Sequence, residues 1–174
     1  MKKINLQMFA EAVHGKKLVY LFRVLANAAT KDGTTLAFTT ENERSKSKDS
    51  DSTATKDGPI LTPGKVEQEI TATAILAKDD TLVDELEDAL DKNELIEIWE
   101  ANLEKPAEGG ANKFAGRYFQ GYLTEVSYSA SAEDYVEVSL TFGINGAGVK
   151  GDVTVTAEQQ EVAAYVFADT QKGA

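Results

Sequence analysis

From residue 18 to 26 apolar side chains fill both alternating sets: Leu18, Tyr20, Phe22 and Val24 on one, Val19, Leu21 and Leu25 on the other. Arg23 is the only charge. Such a pattern predicts a strand covered on both faces. Residues 29–33 then supply an Asp-Gly turn, after which Leu36 and Phe38 alternate with Thr35, Ala37 and Thr39, predicting that 34–40 closes a hairpin. Between 41 and 58 the pattern stops, because Ala54 is the only aliphatic side chain there. The expectation is a long polar loop, solvated or held by a partner. Ala-Thr-Lys-Asp-Gly occurs at 29–33 and again at 54–58, which reads as turn chemistry used twice rather than as a duplication.

Further on, Val66, Gln68, Ile70, Ala72, Ala74 and Leu76 alternate with Glu67, Glu69, Thr71, Thr73 and Ile75, predicting a long strand with one wetter face. The period then changes to that of a helix over 80–92, where Leu82, Val83, Leu86, Ala89 and Leu90 share a side and Asp80 or Thr81 serves as cap. Strand-like residues return at 94–103. A long strand or broken pair is expected over 113–130, with Phe114, Tyr118, Tyr122 and Tyr128 in one parity. Ser131 to Asp134 turns the chain into an antiparallel partner bearing Val136, Val138, Leu140 and Phe142. The glycines of 143–151 predict a mobile linker, followed by a short strand at Val153 and Val155. Thr156 and Gln159 have capping-box spacing. Tyr165-Val166-Phe167 suits either the helix that would follow or a short strand. The fold class is α+β, mainly antiparallel β, with one inserted helix, a long polar loop and extended terminal arms.

Length and charge narrow the function. The 174 residues suffice for one domain with a core of its own, and no apolar run approaches the ~20 residues of a membrane-spanning helix. A formal charge of -11 argues against nucleic-acid binding through a basic surface. With no cysteine there are no disulfides, thiolate metal sites or thiol nucleophiles. The first residues imitate a secretory signal at both ends, but Asn5 and Gln7 interrupt the apolar stretch between.

No catalytic constellation emerges. Gly146-Ala147-Gly148-Val149-Lys150-Gly151 matches a dinucleotide fingerprint, yet the residues after it alternate like a strand where a phosphate site needs a helix N-terminus. Asp49-Ser50-Asp51-Ser52-Thr53 resembles the start of a calcium loop, but Ala54 and Ile60 occupy the places of the required glycine and glutamate. The acidic residues of 79–91 lie opposite the Leu82, Leu86 and Leu90 face, as on a solvated helix. His14 is the only histidine, so neither a serine triad nor a zinc site can be assembled around it. Tyr118, Phe119 and Tyr122 suit core or subunit packing better than sugar stacking. No enzyme activity, metal or cofactor is expected.

The joint order of features carries a resemblance: Ser45-Lys46-Ser47-Lys48-Asp49 leading through Thr55-Lys56-Asp57-Gly58, a proline/glycine turn, the strand of 67–76, an acidic helix and a final Tyr165-Val166-Phe167. Over 15–169 the chain resembles the major tail protein, the tail-tube subunit, of long-tailed phages of Gram-positive bacteria in the TP901-1-like group. The resemblance implies a β-sandwich or small barrel with a flanking helix. It implies subunits closing into hexameric rings, which stack into a hollow tube through which DNA is ejected into the host without specific binding. On this reading 1–14 is an N-terminal arm, 15–144 the β-sandwich tail-tube domain with loop 41–58 and helix 80–92, and 145–174 a glycine linker and C-terminal arm.

The resemblance also suggests roles for residues. Lys46, Lys48, Asp49, Asp51, Lys56 and Asp57 would make salt-sensitive contacts between rings. Glu67 and Glu69 are candidates for an acidic lumen, since a basic channel would hold DNA back. Tyr165 and Phe167 would serve as arm contacts. The implied partners are further copies of the chain, the tape measure protein, the tail terminator and the distal tail protein, with no membrane. The implied place is the virion tail, after synthesis in the host bacterial cytoplasm. The alternative is a monomeric β-sandwich recognition module binding a cell-surface glycan or protein, with the same loop as its binding edge.

Overall fold

The computed structural model describes residues 12–164, with side chains as far as residue 160. Six strands, β1 (Leu18–Val24), β2 (Thr39–Thr55), β3 (Gly58–Ile75), β4 (Ile96–Pro106), β5 (Lys113–Ser129) and β6 (Glu137–Thr154), form one sheet in the order β1-β4-β5-β6-β3-β2. Every neighbouring pair is antiparallel. Helix α1 (Thr81–Lys92) lies between β3 and β4 in sequence, and α2 (Ala157–Ala164) follows β6. The mainly antiparallel, sandwich-like α+β fold expected from the sequence is what the chain adopts.

The sheet is strongly curled. Strands sit about 4.8 Å apart, so Phe22 on β1 and Phe142 on β6, three places away, would be separated by roughly 14 Å in a flat sheet. Their rings instead stack with centroids 5.1 Å apart. The concave face so formed holds the main core: Phe22, Ile70, Ile96, Ile98, Phe119, Leu140 and Phe142, closed on one side by Val83, Leu86 and Ala89 of α1. A smaller cluster of Leu21, Ala101, Phe114, Val153 and Val155 occupies the opposite face. This arrangement explains why 18–24 is apolar in both parities: Phe22 faces one cluster and Leu21 the other.

Helix α1 begins where its pattern predicts. The Asp80 carboxylate accepts from the Leu82 and Val83 N–H groups, and Asn93 ends the helix in the left-handed region at φ 55°. At the other end of the chain Thr156 and Gln159 form the capping box in both directions, with Gln159 Oε1 accepting from Thr156 N–H and Thr156 Oγ1 from Gln159 N–H. Residues 157–164 are therefore helical, while Tyr165, Val166 and Phe167 lie outside the described residues.

Three expectations need correction. The hairpin of 18–26 with 34–40 shrinks to one bridge, Phe22↔Thr34, because β1 pairs along its length with β4. Leu36 turns into the core instead, and Phe38 takes a positive φ of 50°. The polar loop of 41–58 is not a loop but most of β2 and its turn, paired with β3 from Thr39↔Ala74 to Thr55↔Gly58. A strand exposed on both faces needs no apolar side chains, since its backbone hydrogen bonds are made by its neighbour. The glycine segment of 143–151 is not a linker, and the strand runs through the boundary placed at 145. Between the Tyr118↔Val149 and Gln120↔Asn145 pairs, Gly146, Ala147 and Gly148 stand opposite Phe119 alone. Gly146 and Gly148 make this bulge possible by adopting φ 71°.

Candidate functional site

The curled sheet is held at its open side by a buried polar group. Glu100 on β4 accepts from the Tyr20 hydroxyl at 2.7 Å and from Arg44 Nε at 2.6 Å, and Arg117 Nε approaches it at 3.9 Å. The Arg44 guanidinium also lies over the Phe119 ring, 5.8 Å from its centroid. Burial raises the ionisation point of the Tyr20 hydroxyl, and the neighbouring Glu100 carboxylate raises it further. The hydrogen bond to Glu100 raises that of Arg44. On the convex face Glu97 accepts from Arg23 and from Tyr118, both at 2.7 Å, and Arg23 covers the Trp99 ring. These carboxylates are saturated by cations and hydroxyls, an arrangement that fixes strands in place.

The convex side of β2, β3, β6 and the far half of β5 is different. In an antiparallel sheet, directly paired residues share a face. The pairs Glu41↔Thr73, Glu43↔Thr71, Ser45↔Glu69 and Ser47↔Glu67 therefore lie beside Glu69↔Gly143, Thr71↔Thr141, Thr73↔Ser139 and Ile75↔Glu137. Glu125↔Thr141, Ser127↔Ser139 and Ser129↔Glu137 complete the face. It carries Glu41, Glu43, Glu67, Glu69, Glu125 and Glu137, all exposed, with serine, threonine, glycine and the half-buried Ile75 between them and no lysine or arginine among these positions. Glu67 and Glu69 are thus brought together with four further glutamates.

The six residues assigned to the polar loop are strung along the hairpin instead of clustered. Lys46 pairs with Gln68 and Lys48 with Val66, on the concave side with Arg44. A register shift between Lys48 and Ser50 surrounds Asp49, and Asp51 pairs with Thr62. Lys56 and Asp57 form the turn, where Thr55 Oγ1 donates to Gly58 O and accepts from Asp57 N–H. None of the six takes part in an ion pair among the described residues.

Residues 12–150 match the family model for phage tail tube proteins. The chain belongs to that family. It is 34% identical over 145 residues to a provisionally named tail protein of Staphylococcus phage phiMR25, covering 81% of this chain and 75% of that one. Its fold is similar to the SPP1 tail tube structure, with a TM-score of 0.70 at 21% identity over 91% of this chain and 88% of that one. It is also similar to a chain of the gene transfer agent particle tail, solved with C6 symmetry, with a TM-score of 0.62 at 15% identity over 80% and 99%. This tail tube protein is therefore a structural component of a phage tail, and family membership decides against the monomeric recognition module.

Of the tail tube protein's acidic face, the alternation in 66–76 revealed only the β3 part. Glu41 and Glu43 were hidden by reading 41–58 as a loop. Their spacing of two, matching that of Glu67 and Glu69, is the signal that would have marked a second acidic strand. Glu125 on β5 and Glu137 on β6 have no acidic neighbour at a spacing of two, and only the register brings them alongside.

Proposed function

We propose that this tail tube protein closes into six-membered rings that stack into a hollow tube, with the convex four-stranded face of β2, β3, β6 and β5 lining the channel. The observation that carries the reading is the row of six glutamates with no cation among them. Duplex DNA bears one negative charge per ~1.7 Å of axis, so such a wall repels it and offers no phosphate contacts along the way. Serine, threonine and glycine keep the same wall smooth and wettable. DNA then passes during ejection without specific binding, and no catalytic step, metal or cofactor is involved. The C6 symmetry of the gene transfer agent tail supports six copies per ring.

The β2–β3 hairpin is the element that reaches between rings, with Lys46, Lys48, Asp49, Asp51, Lys56 and Asp57 contributing salt-sensitive contacts at its edges. Tyr165 and Phe167 contribute arm contacts. The tape measure protein, tail terminator and distal tail protein are the tail partners, and synthesis takes place in the host bacterial cytoplasm.

The test replaces Glu43, Glu67 and Glu69 with lysine and follows DNA release from assembled tails. Ejection slows several-fold at low salt and recovers as salt screens the wall. Wild-type ejection kinetics in tails that contain the variant would remove this face from the lumen.

A further inference from the structure

Of the seven asparagines in the chain, Asn145 alone precedes a glycine. It stands on β6 where pairing is weakest. On one side the ladder with β3 ends two residues earlier, at Glu69↔Gly143, so among the described residues no strand flanks Asn145 there. On the other side its pair with Gln120 is the last before the bulge, and regular pairing returns only at Tyr118↔Val149. A bulge leaves its extra residues outside the ladder. The Asn145–Gly146 peptide is therefore freer to turn than one held from both sides. Asn145 is exposed, and its side-chain amide makes no hydrogen bond among the described residues. Gly146 adopts φ 71°, with nothing within 4 Å of a would-be Cβ.

Other asparagines are held differently. The Asn102 Oδ1 atom accepts from Glu104 N–H at 3.0 Å, and Asn112 Oδ1 accepts from Gln160 Nε2 at 3.2 Å. Asn42 Oδ1 is buried. The residues that follow these three, Leu103, Lys113 and Glu43, each carry a Cβ next to the peptide nitrogen, whereas glycine leaves that nitrogen open and its own backbone unrestricted.

We infer that Asn145 is a self-modification site, converting in the folded chain to aspartate and iso-aspartate with water as the co-reactant. The Gly146 nitrogen gives up its proton and bonds to Asn145 Cγ. The Cγ–Nδ2 bond breaks, the proton returns by way of solvent to the leaving group, and ammonia departs from a five-membered imide. Water then adds to one of the two imide carbonyls. Opening at Cγ breaks the new bond and yields aspartate; opening at the backbone carbonyl breaks the original peptide bond and leaves the chain running through Cγ as iso-aspartate. The sum is amide plus water to carboxylate plus ammonium, with no change of oxidation state. Glu97, Gln120 and Asn145 form one row of direct pairs, and Gly143, two residues earlier, lies in the row of Glu69. Each event therefore adds one negative charge to the convex face. On the tube reading, on which this consequence rests, the channel wall grows more acidic as the particle ages, in the direction that keeps DNA off it.

The test stores the purified chain in warm, mildly alkaline buffer and follows its peptides by mass spectrometry. The peptide bearing Asn145 gains the mass difference between an amide and an acid and splits into two chromatographic forms, one of them a substrate for an iso-aspartate methyltransferase. The peptide bearing Asn112 stays as it was. Asn145→Gln, whose longer side chain would have to close a six-membered ring, removes the change and leaves the melting of the chain as it was. Conversion that needs urea unfolding, or that runs no faster at Asn145 than at Asn112, would overturn the inference. The same measurement on assembled tails separates it from the tube reading. Continued conversion there supports both, whereas conversion in the free chain that stops on assembly keeps the modification site and removes this face from the lumen.

Discussion

Arg44 and Glu100 meet at 2.6 Å from strands four places apart in the sheet order. In a flat sheet that separation would be roughly 19 Å. The ion pair thus joins β2 to β4 across the mouth of the curl, on the side where backbone pairing is missing. It also anchors the root of the long hairpin, since Arg44 lies only a few residues before the ribbon leaves the body of the domain. The stiffness of the projecting element and the closure of the sheet depend on one carboxylate.

Removing one partner of this pair should therefore cost more than an ordinary surface substitution. The Glu100 side chain is 10% exposed, and Arg44→Ala leaves it with the Tyr20 hydroxyl and a distant Arg117. The expected loss is about 3 kcal/mol in urea unfolding of the dissociated chain. Glu100→Ala should cost a similar amount and the double variant clearly less than the sum, because both changes break one contact. Additive losses would mean that the two side chains act independently.

The bulge in β6 makes a second, sharper prediction. A Cβ added at Gly148 would stand 2.3 Å from the Phe119 ring, at a backbone φ of 71°. Gly148→Ala should lower stability by about 2 kcal/mol or more, from left-handed strain and overpacking together. Gly151 in the same strand has nothing within 4 Å of its would-be Cβ, and Gly151→Ala should stay within about 0.5 kcal/mol of wild type. Thermal melts of the two variants side by side check this, and equal losses would count against the bulge geometry.

These glycines also show where sequence reading stops. Periodicity made α1, β4, β5 and the paired part of β3 legible, because each buries one side of its pattern against the core. It misread 41–58 and 143–151 for a common reason: both form strands whose reason for pairing lies in a neighbour's backbone rather than in their own side chains. The hairpin expected at 34–40 failed differently, since a suitable turn existed but β1 had a better partner in β4. For the candidate site, the resemblance suggested Glu67 and Glu69, and alternation placed them on one face of their strand. The register that sets Glu41, Glu43, Glu125 and Glu137 beside them is a property of the assembled sheet.

Helix α1 offers a test of the local signals that did succeed. The Asp80 side chain satisfies two N–H groups at the first turn, and Asp80→Ala should cost about 1 kcal/mol. Asn93 holds a left-handed φ of 55°, so Asn93→Gly should be nearly neutral, whereas Asn93→Val should cost about 1–2 kcal/mol. Urea midpoints with an unchanged slope would place the effect in the folded helix, while a neutral Asn93→Val would deny the left-handed cap.

The response to alkali follows from Tyr20. In the unfolded chain its hydroxyl ionises near pH 10, but in the fold burial, and then the Glu100 carboxylate, hold it above that value. Its contribution to stability is therefore complete below pH 10 and declines as the pH rises further, while the unfolded chain loses a proton that the folded chain keeps. Tyr128, pushed up to about 12 by desolvation and then by its bond to Glu87, adds a smaller decline of the same sign. At pH 7, Tyr20→Phe should be about 1 kcal/mol less stable than wild type for loss of the hydrogen bond. Above pH 10 the gap should narrow by up to ~1.4 kcal/mol per pH unit, because only the wild type has this proton to lose. Urea unfolding of both chains from pH 8 to 11 measures the gap directly, and a gap that stays constant over that range would show that Tyr20 ionises in the fold as freely as it does in water.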